Sequence, residues 1–302
     1  MERRDFIKNV AGLAAAYTVL PSNTAIFGSS QIPDLVVAKN GEPVQLVRGA
    51  LEKLGGMSRF VSKGDIVVVK ANISWDRVPE QAATTNPDVV SEVIRQCFNA
   101  GAKKVKVFDR TLNVATRCYK RSGIETAAKG AGADVQHVYD RKFKKVSFPE
   151  GELIKSWEIY KDALEADRII NIPIAKHHSV SEAKVSLGMK NLMGFLGGNR
   201  GKFHRKFDIK ITDLSARIKP DLILLDAYRM LLRNGPTGGN LADVALKKTL
   251  IAGIDPVAVD SYGATLFDLD PQRLPFLQRA YERGLGEIDL KKISIEKVAL
   301  AP

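Results

Sequence analysis

An α/β fold, with a mostly parallel sheet, helices on both faces and a small β insertion, is what this sequence predicts. Three observations carry it. Short apolar runs alternate with helix-period segments from residue 32 onward. Several of those runs are apolar throughout, as in IVVVK at 66–70, the pattern of a strand buried on both faces. The 302 residues are 45% hydrophobic and 26% charged, the balance of an ordinary globular chain large enough for a sizeable core.

The elements follow in order. Residues 35–38 are a first strand, and 44–54 an amphipathic helix closed by Gly55-Gly56. After the strand at 66–70, residues 87–100 are a helix, with Asn86 as cap, Pro87 in the first turn and Gly101 as stop. Strands at 104–108 and 135–139 flank a short helix at 122–130, and 144–148 with 152–159 form the inserted hairpin. A short helix at 161–165 leads to a strand at 169–172, which Pro173 stops. A helix around 209–218, strands at 222–225 and 250–252, helices at 255–266 and 275–283 and a last strand at 295–300 complete the chain. With no repeat, low-complexity tract or linker, residues 31–302 read as a single domain.

Residues 1–30 are set apart. Arg3-Arg4-Asp5-Phe6-Ile7-Lys8 followed by a weakly apolar stretch at 10–20 resembles a twin-arginine export signal. Eleven residues are too few to span a bilayer, which takes about 20, so no mature transmembrane span is expected. The resemblance implies a periplasmic or otherwise extracytoplasmic protein.

A net charge of +12 suits nucleic acid, an anionic surface or an acidic ligand. Nucleic acid is set aside, because no known binding module and no basic residues interleaved with aromatics are present. Cys97 and Cys118 are the only cysteines, so an iron–sulfur cluster ligated by this chain alone is excluded. Whether the two are bonded is left open by the sequence.

The stretch 169–204 is the most unusual segment. It holds His177, His178 and His204, three of the four histidines, together with Lys176, Lys190, Asn191 and Arg200, and Glu182 is its only carboxylate. A segment so basic and glycine-rich suits a small anion or a metal-bound anion. His177, His178 and His204 are candidate metal ligands, and His178 and His204 candidate acid/base groups near neutral pH. In open α/β sheets ligands bind beyond the carboxyl ends of strands. That rule adds Lys70 and Asn72, Asp109, Asp226 and Asp255, each next to an expected strand end. Asp255 also suits a helix cap. The loop at 234–239, NGPTGG, could present backbone N–H groups to an anion, with Gly235 and Thr237 as contacts.

Eight motifs then follow one another in order: VVVKANI at 67–73, TTNPDVV at 84–90, GAKKVKVFD at 101–109, INIPIAKHH at 170–178, GMKNLMG at 188–194, DLILLDA at 221–227, NGPTGG at 234–239 and DPVAVD at 255–260. Together they resemble the domain-of-unknown-function 362 family (DUF362) over roughly residues 35–290. The resemblance implies an α/β fold and a Lys-x-His pair, filled here by Lys176 and His178. It also implies an iron–sulfur or redox partner protein, since members are often fused to ferredoxin-type domains. A looser similarity to the nickel-pincer lactate racemase family would make Asn72, Arg77, His178, Lys190 and His204 counterparts. The resulting expectation is an exported protein that binds a small anionic or metal-bound ligand, as an enzyme or redox-pathway accessory. The alternative is a non-catalytic cofactor-binding or maturation factor. In either case Lys176, His178, Lys190 and His204 are expected in one pocket, with Asp109 or Asp226 on its opposite wall.

Overall fold

The computed structural model describes residues 32–300, so the twin-arginine expectation lies outside the described residues. In chain order the elements are β1 (Leu35–Lys39), α1 (Pro43–Lys53), β2 (Ile66–Ala71), α2 (Pro87–Asn99), β3 (Lys104–Val107), α3 (Ala115–Arg121), α4 (Ile124–Gly130) and β4 (Asp134–Val135). There follow β5 (Phe143–Ser147), β6 (Ser156–Tyr160), α5 (Lys161–Leu164), β7 (Arg168–Ile172), β8 (Ile174–His177), β9 (Val185–Ser186), α6 (Gly188–Asn191) and α7 (Phe207–Arg217). The chain closes with β10 (Leu222–Leu231), β11 (Val244–Gly253), α8 (Pro256–Thr265), α9 (Pro275–Glu282) and β12 (Ile295–Ala299).

Ten strands form one sheet, with the path β12-β1-β11-β10-β7-β2-β3-β4, β8 attached to β10 and β9 to β8; β5 and β6 form the separate hairpin. Six pairings in the large sheet are parallel and three antiparallel. The pleat divides the apolar runs between two cores. Leu35, Val37, Val68, Ile223 and Leu225 join α7, α8, α9 and the hairpin on one face. Val36, Ala38, Val67, Val69, Leu222 and Leu224 join α1, α2 and α4 on the other. The α/β class, the parallel majority, the two helical layers and the added hairpin are as expected. Both cysteines are free and buried.

Four expectations change. Only Asp134–Val135 pairs as a strand where 135–139 was expected, and α3 was not expected at all. Pro173 interrupts rather than ends its strand: its carbonyl accepts the Asp226 N–H at 2.8 Å and the chain resumes as β8. Strand β10 does not stop at Leu225 but runs through Asp226 to Leu231. Finally, β11 is antiparallel to both β1 and β10, and its last residue, Gly253, pairs with Leu35 and Ile223, near the starts of those strands. Asp255 therefore lies at the opposite edge from the carboxyl ends of β2 and β3. There it caps α8, accepting from the Val257 and Ala258 N–H groups.

Candidate functional site

At the carboxyl edge of the parallel strands lies a cavity of about 420 Å³. Strand β2 brings Asn72 to it, β8 brings Lys176 and His178, and α6 brings Lys190 and Asn191. The glycine-rich 3-10 turn Arg200–His204 supplies Arg200 and His204, and Thr237 comes from the second glycine loop. Thr85 ties the strand ends together, its hydroxyl accepting from the Asn72 N–H and donating to the Ile172 carbonyl.

Beneath the cavity Lys70 and Asp109 form a fully buried ion pair, Nζ to Oδ1 2.9 Å. Asp109 Oδ2 also accepts from the Ile73 N–H at 2.7 Å and the Ser74 hydroxyl at 3.3 Å. Lys70 donates to the Ala71 carbonyl at 2.7 Å. Gly194 makes this arrangement feasible, because a Cβ there would fall on the Asp109 carboxylate and the Lys70 ammonium. Asn191 locks the turn to the strands: its Oδ1 accepts from Asn72 Nδ2 at 3.1 Å, and its Nδ2 donates to the Lys70 carbonyl and Asn171 Oδ1.

The three remaining cations have only neutral hydrogen-bond partners. Lys176 donates to Asn72 Oδ1 at 3.2 Å and the Ala83 carbonyl at 2.5 Å. Lys190 Nζ sits 3.6 Å from Met193 Sδ and 3.4 Å from His204 Nε2. Arg200 donates to the carbonyls of Arg110 and Thr111 at 2.7 and 3.0 Å. Burial pushes Lys176 down to about 7, reinforced by Lys190 and partly opposed by Asp109. Burial and Arg200 bring Lys190 to about 7 as well. Burial lowers Arg200 to about 10, against the pull of Asp109.

His178 and His204 stack, ring centroids 5.7 Å apart. His178 accepts the Val180 N–H on Nδ1, so its proton sits on Nε2. Burial, with Lys190 second, pushes His178 down to about 2, and the same two causes lower His204. Both imidazoles are neutral near pH 7, and His178, with its Nδ1 lone pair taken, offers only its Nε2 proton as a hydrogen-bond donor.

Five expected site residues are placed elsewhere. His177 points to the second glycine loop, where its Nδ1 accepts the Gly235 N–H at 3.1 Å. Gly235 thus serves the loop and does not line the cavity. Asp226 is fully buried and accepts from the N–H groups of Asn86 at 2.7 Å and Tyr228 at 3.0 Å. Its carboxyl, raised to about 6 by burial, braces the start of α2 rather than the opposite wall. The three-histidine metal set does not come together. Among the described residues no group of three His, Cys, Asp or Glu converges, because neighbours in an extended strand point to opposite sides. Lys70 and Asp109 stay below the cavity as an ion pair, so neither lines it.

Three contributors escaped the sequence reading. Trp75 and Leu112 line the cavity from loops with no periodic signal. Asp260 is buried and accepts the N–H groups of Gly188 and Met189 at 2.6 and 3.0 Å, which fixes the start of α6. The signal for it was present as the last residue of DPVAVD. A second cavity, of about 330 Å³, lies behind α6 and has a mainly apolar lining that includes Met189, Leu192, Ile218 and Ile223.

Comparison with known proteins gives three findings. A family model described as Domain of unknown function (DUF362) matches residues 67–265. The chain is 26% identical to Thylakoid-associated protein sll1697 of Synechocystis sp. over 254 residues, 82% of this chain and 76% of that protein. Among solved structures, it resembles the lactate racemase apoprotein from Thermoanaerobacterium thermosaccharolyticum, with a TM-score of 0.49, 14% identity and coverage of 76% of this chain and 56% of that one. A protein from Thermotoga maritima aligns with a TM-score of 0.44 and 11% identity, covering 76% and 60%. The chain therefore spans less than two thirds of either solved protein.

Proposed function

The chain belongs to the DUF362 family, and on that premise we propose that it is an exported protein that binds a small anion in the sheet-edge cavity. The observation that carries this reading is the convergence of Lys176, Lys190 and Arg200 on one cavity with only neutral hydrogen-bond partners. Burial and the neighbouring positive charges already hold Lys176 and Lys190 down to about 7 in the empty cavity. A bound anion turns that repulsion into attraction. In this reading Lys176, Lys190 and Arg200 hold the anion, neutral His178 donates a hydrogen bond to it from Nε2, and His204 is the imidazole left to pass a proton. Asp109 orients Lys70 under the strand ends.

Export by the twin-arginine route belongs to the same proposal, supported by Arg3-Arg4 ahead of the apolar stretch. Among the described residues no helix is long and apolar enough to cross a membrane.

The test is thermal unfolding at low ionic strength with a panel of small anions. A ligand at 100 times its Kd stabilises by about 2.7 kcal/mol, which is several degrees in Tm. We expect at least one anion to raise Tm and Lys190→Met to remove the shift. If no anion moves Tm, and native mass spectrometry finds only the bare chain, the reading fails.

A further inference from the structure

Resting on that reading, we propose that the ligand is a compact organic dianion. Its two negative charges face Lys176, Lys190 and Arg200, and its short carbon frame lies against Trp75, Leu112 and Met193.

Charge counting comes first. Lys70 is already balanced by Asp109 at 2.9 Å and does not line the cavity. No other group facing the cations carries negative charge. His178 and His204 resist charging, His177 is turned to Gly235, and the Arg110 guanidinium, held by the carbonyls of Leu196 and Gly198, adds positive charge beside Arg200. No carboxylate other than Asp109 contributes to Lys176, Lys190 or Arg200. Arg200, which stays charged at neutral pH, can balance a monoanion by itself. A second negative charge must be met by Lys176 or Lys190, both poised near neutrality in the empty cavity. A dianion therefore completes the site's charge, and its entry draws a proton from solvent.

The lining supplies the second half of the argument. Trp75, Leu112, Val180, Met193 and Pro236 share the cavity with the cations, and the Leu112 side chain is 58% exposed. A site for a bare inorganic anion has no use for an apolar side chain of that size left open beside its cations. A carbon frame covers it.

Isothermal titration calorimetry decides, with the purified chain at pH 7.5 in two buffers of different ionisation enthalpy. The probes are acetate, sulfate and succinate. Succinate is expected to bind tightest, with both dianions at least about tenfold tighter than acetate. About one proton should be taken up per dianion and essentially none per acetate. In Lys176→Met and Lys190→Met the proton uptake should fall, and the wild-type uptake stands as evidence even where a variant folds poorly. Acetate binding as tightly as succinate, or dianions binding without proton uptake, overturns the proposal. Sulfate equalling succinate overturns the carbon-frame half of it. If none of the probes binds, the anion-site reading itself falls.

Discussion

Replacing Asp109 by Asn tests how the site's foundation is built. In the wild-type protein the Lys70 ammonium, 0% exposed, is already pushed down by burial, and the Asp109 carboxylate 2.9 Å away is what holds its proton on. Without that carboxylate Lys70 must either stay charged next to Lys176 and Arg200 or fold as the amine. An amine at pH 7 costs about 1.36 kcal/mol for each unit below the free-lysine value of about 10.4, an upper limit near 4.6 kcal/mol. Breaking a buried pair by removing one partner typically costs about 3–5 kcal/mol, so the two routes agree. Asp109→Asn should therefore lose about 3–4 kcal/mol in urea unfolding at pH 7. The sign with pH follows: the unfolded lysine binds more protons than the folded one, so the variant's stability rises with pH toward about 10. Its deficit against wild type should shrink by roughly 1 kcal/mol per unit between pH 7 and 9. Lys70→Met/Asp109→Leu, which removes both charges, should recover most of the loss. A deficit under about 1 kcal/mol at pH 7, or one that does not change with pH, would show that Lys70 finds another partner and that the pair is not the foundation described.

Gly194→Ala drives a methyl into the same ion pair and should cost about 1–3 kcal/mol, read as a lower urea midpoint. Asp260, raised to about 7 by burial, binds its proton more tightly folded than unfolded. Its contribution is thus fully present below about pH 4 and lost as pH rises to 7, on the order of 4 kcal/mol; Asp260→Asn should flatten stability over that window, and an unchanged pH profile would contradict the assignment. With a value near 7, Lys190 is about half amine at neutral pH, whereas a solvated lysine is almost wholly charged. Brief acetic anhydride treatment mapped by mass spectrometry should label Lys190 ahead of exposed Lys63, and early labelling of Lys63 instead would count against the depressed value. Changing Arg3 and Arg4 to Lys should keep the protein in the cytoplasm, and unchanged export in a fractionation assay would remove the twin-arginine assignment.

How much was legible depended on the kind of signal each residue left. IVVVK at 66–70 announced a central strand because burial on both faces leaves only apolar residues there. Lys176, His178, Lys190, Arg200 and His204 could be grouped because strand ends and a glycine-rich turn converge on one edge of a parallel sheet. Asp226 misled for a physical reason. A carboxylate in mid-strand looks like a strand end until its two backbone donors, Asn86 and Tyr228, are known, and Asn86 lies 140 residues away. The cap role of Asp255 was legible from Pro256 behind it, but the edge it stands on was not, because nothing in a sequence of this kind tells a parallel from an antiparallel neighbour, and β11 runs against β1 and β10. His177 and His178 could not be told apart by composition, only by which of the two the strand turns inward. Trp75 and Leu112 left no trace because loops carry no period.

The hold of Asp260 on the Gly188 and Met189 N–H groups has a consequence for timing. The turn that presents Lys190 and Asn191 is pinned by a side chain made about 70 residues after them. During synthesis the cations of the cavity can be complete on the nascent chain while their geometry is not. A ligand cannot be gripped early and used as a template for folding the first half. It meets a finished pocket only after Asp260 has left the ribosome, so loading follows the folding of the segment that carries Asp260 and is governed by the folded protein's own affinity.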